Sequence, residues 1–111
     1  MASWLVQEAT NGVVFRELNE WSEEVSDDRF GTTRTMDSYL CECSNARCTD
    51  PISLTRTEYE AVRAEPIRFA IALDHENPET DRVLTENHRF ATVEKLLGVA
   101  SRIARATNPR R

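Results

Sequence analysis

The sequence is poor in residues and patterns that mark several common classes of protein. Lysine occurs once, at Lys95, and the three glycines are isolated, so there is no glycine-rich phosphate-binding loop. No stretch approaches the roughly 20 consecutive apolar residues of a membrane-spanning helix. The first ten residues, MASWLVQEAT, have no basic region and only a short Trp4-Leu5-Val6 patch, unlike a secretory signal peptide. These absences argue against a P-loop enzyme, a membrane protein and a secreted protein.

Cysteine is also scarce, and all three cysteines lie within the eight residues CECSNARC, from Cys41 to Cys48. An odd number of cysteines without a signal peptide favours a reducing, cytoplasmic compartment. Residues 38–43 are predicted to form a strand, which places Cys41 and Cys43 on one face. The polar residues 44–47 can then turn the chain and bring Cys48 beside them. This clustering favours a bound metal over the alternative, three reduced cysteines buried in the core.

Zinc takes four tetrahedral nitrogen or sulfur ligands, so a histidine is needed to complete the set. The sequence offers two histidines, His75 and His88. A strand predicted over 68–75 alternates so that His75 extends an inward apolar row, whereas His88 lies in a predicted turn and is the weaker candidate. The predicted site is a structural zinc held by Cys41, Cys43, Cys48 and His75. An iron–sulfur cluster is the alternative that these ligand types leave open.

This ligand set argues against an enzyme. Three thiolates and one imidazole close a tetrahedral zinc shell and leave no position for a reactive water. The zinc-deaminase signature, His-x-Glu followed by Pro-Cys-x2-Cys, is absent. Asp74, His75 and Glu76 are consecutive in a predicted strand, so they face alternate sides and are poorly placed for joint acid–base work.

The length of 111 residues predicts one domain, residues 1–111, with flexible ends at 1–10 and 108–111. The first predicted helix runs from Asn11, as its N-cap, to Asp28, with Gly31 as terminator. An apolar stripe at i, i+4, i+7 and i+11 is expected to face the core. It consists of Val14, Leu18, Trp21 and Val25.

The rest of the chain alternates short strands and helices. Thr55 and Glu58 have the spacing of a capping box, with Leu54 as a staple onto Tyr59, and Pro66 ends this helix near 64 or 65. The predicted order is helix, two strands, helix, three strands, helix, which indicates an α+β domain with a mostly antiparallel sheet. The remaining predicted elements are strands at 52–54, 68–75, 82–86 and 89–94 and a helix at 96–107 carrying Leu96, Val99, Ala100, Ile103 and Ala104 on one side.

The net charge of −5 is spread unevenly. Residues 1–31 carry seven acidic and two basic residues, whereas 96–111 carry four arginines and no acid. An acidic body repels nucleic acid at long range, so another protein is the favoured partner, while the basic end leaves nucleic acid or a transcription complex as the alternative. A thiol-based metal or redox sensor is a further alternative, which requires exposed cysteines of low pKa. Candidate partner-surface residues are Trp4, Trp21, Arg102 and Arg105.

Several short patterns together resemble a family of small, functionally uncharacterised actinobacterial proteins. The family pattern is an FRE-aliphatic-NE helix, a CEC-x4-C knuckle, an LT-x2-EYE-x-VR helix, a His-Glu pair and a closing Val-Glu-Lys. Departures are Ser44, where the family usually has glycine, and Leu73-Asp74, where it usually has Pro-Gly. The resemblance implies His75 as the fourth ligand and implies no particular activity. It covers roughly residues 13 to 110, and its patterns correspond here to residues 15–20, 41–48, 54–63, 75–76 and 93–95.

Overall fold

The computed structural model describes residues 10–22, 36–45, 47–96 and 98–108. It contains three helices and two small antiparallel sheets, which confirms the predicted α+β class, although the strands form two sheets. The expected flexible ends lie outside the described residues except for Thr10 and Asn108. The elements in chain order are α1 (10–22), β1 (Met36–Leu40), β2 (Pro51–Thr55), α2 (Arg56–Arg63), β3 (Arg68–Ile71), β4 (Asp81–Glu86), β5 (Ala91–Lys95) and α3 (Val99–Ala106).

The two sheets meet at the cysteine segment. β1 and β2 pair antiparallel, and the second sheet has the order β3-β5-β4 with both pairings antiparallel. Between them, Glu42 N donates to Ala70 O at 2.8 Å, which links the chain leaving β1 to β3. None of the helices that the structure describes is long and apolar enough to cross a membrane. Buried residues from both sheets form the core, including Ile52, Leu54, Phe69, Ile71 and Val93.

The capping box that starts α2 is present as predicted. Thr55 Oγ1 accepts from Glu58 N at 3.1 Å, and Glu58 Oε1 accepts from Thr55 N at 2.8 Å. The stapling pair Leu54 and Tyr59 is fully buried. The helix ends with Ala64 as its C-cap, at the position predicted from Pro66. Local signals therefore specify this helix completely.

Glu58 also forms a bidentate ion pair with Arg89, with Nη1–Oε1 at 2.9 Å and Nη2–Oε2 at 2.7 Å. Hydrogen bonding from Arg89 lowers the pKa of Glu58 from 4.5 to about 2. Its stabilising contribution is therefore present above pH 4.5 and is lost as the pH falls towards 2. We expect Glu58→Gln to cost about 1 kcal/mol at neutral pH, with the difference from the parent vanishing in acid. Urea unfolding at several pH values measures this, and the exposed Glu86→Gln is the control, expected within about 0.5 kcal/mol.

The predicted inward face of α1 is wrong. Val14, Leu18 and Trp21 are 49%, 47% and 65% exposed, and Val25 and Gly31 lie outside the described residues. The buried side of the helix instead carries Gly12, Val13, Arg16 and Asn19. Asn11 is not the N-cap, because Thr10 is already helical. The Asn11 side chain instead donates from Nδ2 to Ser44 O at 2.9 Å. Hydrogen bonds from polar side chains thus decide which face of α1 is buried.

Arg16 shows how a charged residue comes to occupy that buried side. Its guanidinium donates to Pro66 O at 2.7 Å and to Ala104 O and Thr107 Oγ1, both at 3.1 Å, and lies 4.7 Å from the Phe69 ring centroid. Burial lowers the pKa of Arg16 from 12.5 to about 10. These contacts offset the free-energy cost of burying the charged side chain. They also connect α1 to the C-terminal end of α3.

Several predicted element boundaries also change, including the start of β5, which is predicted at 89 but lies at Ala91. The strand predicted to include the cysteines ends at Leu40, and the strand predicted to reach His75 ends at Ile71. The last helix starts at Val99, after Gly98 with a φ of 130°, and leaves Leu96 outside the helix and 40% exposed. Ala104 is buried and Ile103 packs against the core as predicted.

Candidate metal centre

The four predicted ligands lie together and could hold a metal ion. One ligand atom from each of Cys41, Cys43, Cys48 and His75 lies within 4.8 Å of the others. His75 Nδ1 is 3.5 Å from the Cys41 sulfur and 3.6 Å from the Cys48 sulfur. Cys41 and Cys43 are buried, and the other two residues are half-buried. His88 is exposed in the β4–β5 turn and is not part of this group.

The chain after β1 positions the three cysteines. Cys41 N donates to Asp50 O at 3.3 Å, which keeps this segment beside the start of β2 after the ladder itself has ended. A hydrogen bond of 3.0 Å from Cys48 N to Asn45 O closes a short turn that returns the third sulfur to the first two. The three cysteines form no disulfide. The knuckle, residues 41–48, is therefore shaped by backbone hydrogen bonds.

His75 reaches the cluster by a turn rather than by the strand alternation predicted for it. Ala70, which should point away from the core, is fully buried, while Leu73 is 37% exposed. His75 N donates to Ala72 O at 3.2 Å, and Asp74 adopts a left-handed conformation with φ of 67°. Aspartate is among the residues that adopt this conformation, so the turn forms without glycine. The predicted residue is in place, but the predicted reason is wrong.

Backbone N–H groups point at the sulfur atoms. Ala72 N donates to Cys41 Sγ at 3.1 Å, and the backbone N–H groups of Asn45 and Asp50 act to lower the pKa of Cys43 and of Cys48. Such bonds favour the thiolate form of each cysteine. A metal site of three thiolates needs this support, because each ligand must lose its proton to bind.

The sulfur atoms lie so close together that three thiolates would repel one another, which opposes loss of all three protons. The hydrogen bond between Cys41 and Cys43 raises the pKa of Cys41 and lowers the pKa of Cys43 to about 5. Burial raises the pKa of Cys48. One thiolate beside protonated neighbours is the arrangement expected of a cluster that needs a positive ion to deprotonate fully.

Asp50 completes the surroundings of the imidazole. Its Oδ2 lies 3.2 Å from His75 Nε2, on the side of the ring opposite Nδ1. A carboxylate at one ring nitrogen fixes the tautomer in which the other nitrogen is free to bind a metal. The arrangement therefore presents Nδ1 as the metal-binding atom of His75.

A buried carboxylate between two of the ligands connects the site to three other elements. Glu42 is fully buried, and its Oε2 accepts from Asn19 Nδ2 and Tyr59 OH, both at 2.9 Å. Its Oε1 accepts from Arg63 Nη2 and Ala70 N, both at 3.0 Å. Arg63 also donates to Arg68 O. Glu42 thus holds α1, α2 and β3 against the knuckle.

Spacing in the sequence does not identify Glu42 or its partners as site residues. The partners stand 17 to 28 positions away along the chain, so no local pattern joins them. The sequence feature that could have identified these residues is the polar residues that recur beside apolar ones within the FRE-x-NE and EYE-x-VR patterns. From the sequence alone, their hydrogen-bond partners are unknown, and those residues look like a solvated helix face.

The predicted partner-surface residues are not gathered at the knuckle. Trp21 lies exposed on α1, and Arg102 and Arg105 lie exposed on α3. Trp4 lies outside the described residues. Comparison with protein-family models, curated protein sequences and solved structures found no match.

Proposed function

We propose that this chain is a small zinc-stabilised domain that acts by binding another protein, in a structural or regulatory role, and that it catalyses no reaction. The observation that carries the metal part is the convergence of Cys41, Cys43, Cys48 and His75 within 4.8 Å. The negative net charge and the exposed apolar residues of α1 support a protein partner.

The distances support a single tetrahedral ion. With Zn–S bonds of about 2.3 Å and Zn–N bonds of about 2.0–2.1 Å, sulfur and nitrogen ligands lie roughly 3.6 Å apart. The separations from His75 Nδ1 to the sulfurs of Cys41 and Cys48 are 3.5 and 3.6 Å. Four-coordinate zinc bound by three thiolates and one imidazole has no open position, so this geometry supports a structural role.

The same compactness disfavours an iron–sulfur cluster. A cluster distributes its protein ligands over two or four iron ions, so the ligand atoms stand further apart than around one ion. A group whose four ligand atoms all lie within 4.8 Å of one another suits one ion. Colourless purified protein agrees with zinc, whereas a brown protein with visible charge-transfer bands would support the cluster.

The two histidines provide a matched test of the metal site. We expect His75→Ala to lower zinc affinity by at least tenfold, because the shell loses its only nitrogen ligand, and His88→Ala to leave it unchanged. Elemental analysis should give one zinc per chain for the parent and for His88→Ala. Competition with a chromogenic chelator measures the affinity. A parent protein that folds without metal, or a greater loss from His88→Ala, contradicts the proposal.

Nucleic acid is the second candidate partner, and one observation favours it. α3 presents Arg102 and Arg105 exposed at helical spacing, and the helix has no acidic residue. A gel shift with DNA or RNA that weakens with salt, and is lost when both arginines are replaced by glutamine, would support this candidate over the first.

A further inference from the structure

The exposed face of α1 continues onto β1. Val14, Leu18 and Trp21 recur at i, i+4 and i+7 and are between 47% and 65% exposed. Leu40, which is 37% exposed, and Pro51 line a groove of about 320 Å³ together with Leu18 and Trp21. A continuous exposed apolar patch beside a groove marks an interaction surface, and the apolar face of an amphipathic helix is one partner that such grooves bind.

Contacts on the opposite side of α1 fix this orientation. A Cβ at Gly12 would lie 3.2 Å from Glu42 O, so the helix backbone packs directly on the knuckle. Asn19 Nδ2 donates to Leu40 O at 2.9 Å and Asn19 Oδ1 accepts from Leu40 N at 2.8 Å. Rotating α1 to bury Leu18 would break these bonds and those of Arg16. The apolar face is therefore an outer surface of the folded domain.

The border of this surface is acidic. Glu17 is exposed on α1, and the exposed Asp37 directly precedes Ser38, which lines the groove. The basic residue within the described part of α1, Arg16, is fully buried on the other side. An apolar surface with acidic borders is complementary to an apolar stripe flanked by lysine or arginine.

From these contacts we propose that α1 and β1 together bind a basic amphipathic helix of another protein. This inference rests on the proposed protein-binding function and names its surface and partner class. Two copies paired through α1 would bring the Glu17 borders together, which is repulsive. The basic helix α3 of a second copy is a poor alternative, because Ala104 is buried and Ile103 packs in its own core.

Trp21 can report on binding directly. The chain has two tryptophans, so Trp4→Phe leaves Trp21 as the single emitter in the full-length, metal-loaded protein. The probe is a synthetic helical peptide with leucine at i, i+4 and i+7 and flanking lysines. One control peptide replaces lysine by glutamate, and another keeps lysine but replaces leucine by serine. We expect a saturable blue shift of Trp21 emission with the first peptide alone.

Two substitutions in the Trp4→Phe background locate the site. Leu18→Asp should weaken binding of the first peptide at least tenfold, because it places a charge in the groove. Leu96→Asp, at an exposed apolar residue after β5, should change binding less than twofold. Equal binding of the serine peptide, or no blue shift with the leucine peptide, overturns the inference.

Two other segments could cover this face of α1: another part of the same chain, or a second copy of the protein. Acrylamide quenching of Trp21 fluorescence distinguishes these cases. Weak quenching in the free monomer would mean that another part of the same chain covers this face. Weak quenching in a dimer alone would mean that a second copy covers it. Either result overturns the inference. Zinc content and melting temperature are measured on the same samples. A failed peptide titration with one zinc per chain refutes the surface alone, whereas absent zinc refutes the proposed metal-stabilised domain.

Discussion

Glu42→Gln is expected to destabilise the domain by about 3–5 kcal/mol, because it leaves the buried Arg63 without its counter-charge. The amide nitrogen of glutamine would also face two of the hydrogen-bond donors that now point at the carboxylate oxygens. A domain of this size has a net stability of only about 5–15 kcal/mol, so this loss is a large share of the free energy of unfolding. Urea unfolding of metal-loaded protein measures the loss.

Glu94→Gln is the matched control for Glu42→Gln. Glu94 pairs on the surface of the sheet with Arg82 at 3.0 Å and with Arg68 at 3.6 Å, and the two arginine side chains are 61% and 37% exposed. Solvent screens such pairs, so Glu94→Gln should cost only about 1 kcal/mol. Similar losses of unfolding free energy in Glu42→Gln and Glu94→Gln would show that Glu42 does not hold α1, α2 and β3 against the knuckle as its contacts indicate.

Metal removal, or Cys43→Ser, should lower the melting temperature sharply and broaden the transition. A structural zinc can contribute on the order of 10–16 kcal/mol of apparent binding free energy near pH 7. The net stability is on the order of 5–15 kcal/mol, so losing the ion removes a large share of it. Acid should act in the same direction, because protonated thiols release the metal. Calorimetry with and without chelator measures the effect of metal removal, and calorimetry at several pH values measures the effect of acid.

Cys43→Ser also controls for the chelator. If the chelator acts only by removing this ion, it should lower the melting temperature of the parent and have little further effect on the variant. A chelated parent that melts like the loaded form, but loses a measured turnover, would mean that the metal is catalytic. The four-ligand shell would then be open to substrate or water.

The sequence was most informative where the signals were local. The Thr55–Glu58 capping box and the stop before Pro66 predict α2 to within one residue at each end. The eight-residue cysteine segment likewise indicated a possible metal site, because all three thiols lie within a few residues of one another along the chain. Both arguments need only a few consecutive residues, and neither depends on how distant parts of the chain pack.

The failures concern contacts between distant residues. Helical periodicity showed that Val14, Leu18 and Trp21 share a face of α1, but it did not show which face is buried. That choice depends on Arg16 and Asn19 finding partners on α3, β1 and Glu42, which are far along the chain. His75 lies with the cysteines as predicted, but the strand expected to carry it ends at Ile71, and the turn at Asp74 that replaces it has no glycine to mark it.

The attachment of α1 has a consequence for how it would come away from the domain. Val13 is the only apolar side chain of α1 in the buried core of the part that the structure describes. The other anchoring contacts there are hydrogen bonds from Asn11, Arg16 and Asn19, the Arg16 contact with the Phe69 ring, and the close packing of the Gly12 backbone. Release of the helix would therefore expose Val13 and uncover the Phe69 ring, much less apolar area than global unfolding exposes. Such an opening has a small heat-capacity change and a small denaturant dependence, so calorimetry and urea titration would scarcely register it. Amide hydrogen exchange would register it as a local fluctuation that precedes global unfolding.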